Sequence, residues 1–163
     1  VLLASADLKW AVAPRMAIGD IDGNVEINIA ANSGSSSLLP MLDLHRQAAS
    51  DSVYSGKEPV DIRKIDTVAK HFIDKDCKNI FLKIDVQRYE WSVLEGAQET
   101  LARVVGIFCE CSFSPLYAGE SPWTILLQKI EALGLEFLGL VPGFADPRTG
   151  KLLQADFLFF RKS

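Results

Sequence analysis

No two of the 11 glycines in this 163-residue chain stand closer than four positions, so GxG occurs nowhere. The loop that lets backbone amides approach a dinucleotide is therefore missing from this stretch. Cysteine is scarce and odd in number: Cys77, Cys109 and Cys111, with no CxxC pair and no Cys/His spacing that suits zinc. All three read as reduced thiols. There are two histidines, His45 and His71, and no GxSxG, which leaves a hydrolase without a nucleophile elbow. The net charge is -4 and no basic run exceeds a few residues, so neither nucleic acid nor an anionic membrane is an expected partner. No apolar run approaches the ~20 residues of a membrane span. No signal peptide is visible, and the expected location is cytoplasmic.

What is present suits one compact domain over residues 1–163: 48% hydrophobic and 23% charged residues, enough for a sizeable core. Residues 1–10 read as the tail of a helix. Strands are expected over 12–18, at Val25, Ile27 and Ile29, and over 58–65. Asp20 to Gly23 reads as a hairpin turn. Residues 42–57 show no period and read as irregular. Asp66 is placed to cap a short helix running through His71 and Phe72, with His71 on its exposed side.

The richest segment is FLKIDVQRYEWSVLEGA, residues 81–97. Its apolar start predicts a strand over 79–86, covered on both faces. A polar turn follows. Val93, Leu94, Ala97, Leu101 and Val104 then fall on one face of a helix over 88–103. Residues 105–111 predict another strand, with Cys109 and Cys111 on the same face. Ser121-Pro122 predicts a helix start and Gly134 its stop. Strands at 135–141 and 152–160 flank a turn at 146–150. So short a connection makes those two antiparallel, whereas the strand–helix alternation before them implies parallel pairing. The fold expected is α/β: a mostly parallel, Rossmann-like sheet with an antiparallel carboxyl-terminal hairpin.

KIDVQxYExxVLxGA, Glu110 after the next strand and the closing GKLLQADFLFF together resemble the FkbM-type methyltransferases, from about Ala17 to Phe160. The resemblance implies the class I methyltransferase fold and S-adenosylmethionine as methyl donor. It also implies an O-methyltransferase whose acceptor is a hydroxyl on a small molecule or sugar. Two departures stand out. Arg88 occupies a position where glycine is usual. The glycine-rich loop and the ribose-binding acid at the end of the second strand are absent, so the chain reads as starting just before the third strand of that fold.

Candidate site residues follow from position and resemblance. Ligands in open α/β sheets bind outside the carboxyl ends of strands, which makes Asp85 the first choice, beside the cofactor or the reacting centre. Its other reading is a cap for the helix that follows. Glu90, in the first turn, is a site carboxylate or a partner of the helix dipole. Glu110 faces the same cleft or is a solvated strand end. Gln87 is read as orienting the turn. The resemblance places Gly19, Asp20 and Ile21 at the adenine edge, Ser36 in a loop near the cleft, and Asp85 with Val86 beside the cofactor. Arg88 and Tyr117 are candidate acceptor contacts, Arg88 through an acidic acceptor or by pairing with Glu90. Mg²⁺ held by Asp85, Glu90 and Glu110 is a further possibility. A degenerate, non-catalytic binding domain is the alternative function, and a Mg²⁺-dependent enzyme of other chemistry a third.

Overall fold

The computed structural model describes residues 11–162. The helix tail expected over 1–10 lies outside the described residues.

Among the described residues, seven strands form two sheets. The first holds β1 (Ala17–Ile18), β2 (Gly23–Ala30) and β3 (Tyr54–Arg63), in the order β1-β3-β2. β1 runs parallel to β3 and β2 antiparallel to it. The turn at 20–23 is therefore not a hairpin turn, because β3 sits between the strands it joins. Asp22 gives that turn its hold, accepting from the Lys64 amide at 2.9 Å and the Thr67 hydroxyl at 2.8 Å. Those bonds set Asp22's carboxyl below its usual range, the Lys64 amide first.

The second sheet holds β4 (Ile80–Ile84), β5 (Val104–Ser112), β6 (Leu135–Pro142) and β7 (Gln154–Arg161), in the order β4-β5-β7-β6. β4 and β5 are parallel, and β7 runs antiparallel between β5 and β6. The terminal hairpin is thus as expected. The single mostly parallel sheet is not: the strands divide into two mixed sheets, and antiparallel pairings outnumber parallel ones. The α-helices of the described residues are α1 (Asp43–Ala48), α2 (Ile65–Phe72), α3 (Glu90–Glu95), α4 (Gln98–Leu101) and α5 (Trp123–Ala132).

The main core lies on one face of the four-stranded sheet. Ile84, Ile107, Cys109, Phe157 and Phe159 meet Val93, Leu94 and Leu101 from α3 and α4, and Leu126 and Ile130 from α5. The opposite face is not covered along β4. Phe81 is 49% exposed and packs against Phe160 with ring centroids 5.8 Å apart. Two-sided burial of β4 is corrected accordingly: Ile80, Leu82 and Ile84 face the core, while Phe81 and Lys83 face outward. A second, smaller core gathers Met41, Ala48, Leu116, Tyr117 and Leu153.

The helix expected over 88–103 is two helices. A Cβ at Gly96 would run into the Gly19 carbonyl oxygen, so the chain bends tightly there. Ala97 then leaves the helical region at φ -120°. Asp66 does not cap its own helix. Its carboxylate accepts from the amides of Glu99 at 2.9 Å and Thr100 at 2.8 Å, capping α4 from a distance in sequence.

Candidate active site at the carboxyl ends of β4 and β5

Side chains alternate along strands, and the register of β4, β5 and β7 puts Lys83, Asp85, Glu110 and Asp156 on one face. Lys83 Nζ lies 3.3 Å from Asp85 and 3.1 Å from Asp156. These two carboxylates hold the ammonium more firmly protonated than usual, against the cost of its burial. Asp85 is half exposed and also accepts from the Gln87 side-chain amide at 3.2 Å. It makes no capping bond: the residue preceding α3 is Tyr89, with no side-chain cap. The capping reading of Asp85 fails, and its carboxylate stays open to a cleft.

That cleft, about 290 Å³, is walled by Asp85, Val86, Gln87 and Tyr89 on one side and by Ile18, Ser33 and Ser36 on the other. Three non-glycine residues among those described take left-handed backbone angles: Ser33 (φ 55°), Gln87 (φ 51°) and Arg88 (φ 78°). The first two line the cleft. Gln87 is held there by the Ser37 hydroxyl, which donates to its carbonyl at 2.7 Å.

The turn's other side is a buried charge cluster. The Arg88 guanidinium donates to Glu110 Oε2 at 2.9 Å, and Gln154 donates to the same oxygen at 3.2 Å. Glu120 lies 3.7 Å from Arg88 Nε and accepts the amides of Leu116 and Tyr117. Glu90 accepts the Arg88 backbone amide at 3.1 Å. Burial raises all three carboxyls, with Arg88 pulling the other way; Glu110 reaches about 7. Arg88 therefore adopts neither an ordinary backbone nor an ion pair with Glu90. It holds the strained conformation that favours glycine, and its cation is spent on Glu110 and Glu120.

The remaining expected residues fall as follows. Gly19 is buried against Gly96 and Tyr89, whose hydroxyl reaches Asp20 at 3.5 Å. Ile21 is 48% exposed and stands outside the cleft wall. Tyr117 is 1% exposed. It does not line the cleft but sits in the second core, donating to the Ser35 carbonyl at 3.0 Å and the Gln87 side-chain oxygen at 3.2 Å. Among the described residues, no group of three His, Cys, Asp or Glu side chains is placed to hold a metal. Asp85, Glu90 and Glu110 do not make a cation cage, since Arg88 occupies Glu110 and Glu90 is engaged by backbone amides. Lys83, Glu120, Asp156 and Gln154 went unforeseen. Lys83 was legible from its i, i+2 relation to Asp85. Glu120, in the loop before α5, carried no periodic signal.

A cleft at the carboxyl end of β4, bordered by the Asp85 carboxylate, in a mixed α/β protein, is the setting of a small-molecule site. The family described as Methyltransferase FkbM domain matches residues 4–137, and the chain belongs to that family of methyltransferases. The match ends at residue 137, within β6, so most of the terminal hairpin lies outside the matched span. No curated protein and no solved structure matches. No helix of the described residues is long and apolar enough to cross a membrane.

Proposed function

We propose that this chain acts as an S-adenosylmethionine-dependent O-methyltransferase on a hydroxyl of a small molecule or sugar. The observation that carries the reading is Asp85. It follows β4 directly, is free of the helix it precedes, and opens half exposed into the cleft. S-adenosylmethionine, when bound, supplies an electrophilic methyl group on a cationic sulfur. The donor set suits such a ligand: a carboxylate to attract the cation, the Ser36 hydroxyl, and the Ile18, Val86 and Tyr89 side chains for an aromatic ring. At about 290 Å³ the cleft lies at the lower limit for small-molecule sites. Glu110 does not line this cleft: it lies on the other side of the turn, paired with Arg88, its carboxyl raised to about 7 by burial. The antiparallel β7 between β5 and β6 supports the class I topology, and the strained Ser33 and Gln87 at the cleft support a site there. The three free thiols are in keeping with a reducing, cytoplasmic setting.

Calorimetric titration with S-adenosylhomocysteine, which lacks the transferred methyl and the sulfonium charge, and with sinefungin, whose ammonium stands in place of the sulfonium, tests the assignment. Wild-type protein is expected to bind both. Asp85→Asn should weaken the charged ligand by roughly tenfold, as loss of a charge-assisted contact implies, and the neutral one less. No binding of either ligand overturns the cofactor assignment. A second reading, a non-catalytic binding domain, is favoured by one observation: Arg88 already neutralises Glu110. Binding of both ligands without any effect of Asp85→Asn would leave that reading standing.

A further inference from the structure

Beside the cleft, on the far side of the 85–90 turn, lies a second pair of cavities. The inner one, about 20 Å³, is bounded by Arg88, Glu110, Ser112, Glu120 and Trp123, among others. The outer one, about 200 Å³, shares Ser112, Glu120 and Trp123 with it and adds Phe113. Two residues lining the inner cavity carry a buried side-chain atom with no hydrogen-bond partner: Arg88 Nε and Ser112 Oγ. Both side chains belong to residues more than nine-tenths buried, at 6% and 8% exposure. The nearest acceptor to Arg88 Nε, on Glu120, is too far at 3.7 Å for a hydrogen bond. Leaving buried donors unsatisfied is costly, so such atoms point to a group that comes from outside.

We propose that these cavities form a subsite for a neutral polyol or sugar ring. One ring hydroxyl enters the inner cavity, accepting from Arg88 Nε and exchanging a hydrogen bond with Ser112 Oγ. The inner volume matches a single oxygen-sized group. Glu120, which lines both cavities, accepts from a neighbouring hydroxyl. The apolar face of the ring lies against Trp123 and Phe113, whose own rings meet edge-on at 5.6 Å. The charge balance selects a neutral ligand. An anion would meet Glu110 and Glu120, and a cation would meet Arg88 without satisfying its donor. The subsite shares no lining residue with the cleft and stands apart from the methyl-transfer reading. The subsite itself uses none of the cleft residues at Asp85.

The test is a ¹⁵N-HSQC titration of the whole chain with myo-inositol and with methyl β-D-glucopyranoside, following the Trp123 indole N–H and the amides of 112–124. Saturable shifts confined to this region are expected. Ser112→Ala should weaken binding by roughly threefold to tenfold, the range of one hydrogen bond. Arg88→Lys should do the same, because lysine offers no donor at the Nε position. Either ligand leaving these signals unmoved, or shifting them equally in wild type and Ser112→Ala, overturns the subsite; an inner cavity that holds only ordered water gives the first of these results. S-adenosylhomocysteine titrated into the same samples separates the two assignments. Cofactor binding without polyol binding sinks the subsite alone, and the reverse sinks the methyl-transfer reading alone.

Discussion

At the scale of the residue, Arg88 sets the chemistry of the site. It pays backbone strain at φ 78° and places a guanidinium among Glu90, Glu110 and Glu120. Comparison of Arg88→Gly with Arg88→Ala separates the two effects. Both remove the cation and leave buried carboxylates uncompensated, at a cost of about 3–5 kcal/mol. Glycine alone relieves the left-handed strain, and should come out about 1 kcal/mol more stable than alanine. Urea denaturation measures both, and equal stabilities would show that the turn carries no strain. Glu110 adds a pH dependence. Its folded carboxyl titrates near 7 instead of 4.5, so between those values the native state holds a proton that the unfolded chain has lost. Its contribution is complete below about 4.5 and lost as pH rises through about 7. Glu110→Gln should flatten the fall in unfolding free energy across that window, by at most of order 3 kcal/mol. An unchanged slope would assign the dependence to another group. The sequence placed Asp85, Glu90 and Glu110 together because strand ends and the first helical turn are local features. It did not reveal Glu120, because loop geometry alone brings that carboxylate to Arg88.

At the scale of the element, legibility followed period and length. β4, β5 and the terminal hairpin carry alternating or continuous apolar runs, and each formed close to where it was expected. α1 has six residues, too few for a period to show, and so residues 42–57 looked irregular although β3 already begins at Tyr54. The break between α3 and α4 was hidden for another reason. The apolar stripe runs on through Val93, Leu94, Ala97 and Leu101, while the break arises from Gly96 meeting a backbone far away in sequence. Gly96→Ala tests that cause. Its methyl group must displace the Gly19 carbonyl, and overpacking against backbone costs about 1–3 kcal/mol. Helix propensity alone would make alanine the better residue by roughly 0.5–1 kcal/mol. A destabilised variant in thermal or urea melts supports the contact, and a stabilised one removes it. Because Gly19 flanks β1 at the cleft, the same substitution should also disturb the amides of 17–20.

At the scale of the whole molecule, the cleft depends on contacts between segments that no local pattern connects. The three-stranded sheet supplies Ile18 and the 33–38 loop, and the four-stranded sheet supplies Asp85 and its turn. The second core joins them. Tyr117, buried in it, bonds to Ser35 in the loop and to Gln87 in the turn. Gln87 in turn reaches Asp85. Tyr117 was expected to meet an acceptor directly, and its aromatic character gave no hint that it ties two walls of the cleft from behind. The same burial raises its phenol well above the ordinary range, so the hydroxyl keeps its proton and remains a donor throughout the accessible pH range. Tyr117→Phe deletes that hydroxyl and preserves the ring that packs on His45 at 5.1 Å. Global stability should fall by only about 1 kcal/mol, the net worth of the hydrogen bonding lost. Local opening should change more: amide hydrogen exchange in 33–38 and 85–90 is expected to accelerate together, while the β5–β7 core amides follow the small global change. Faster exchange in the loop alone would mean that the Gln87 contact carries no load. Uniform acceleration across both sheets would mean that Tyr117 serves the core and not the cleft.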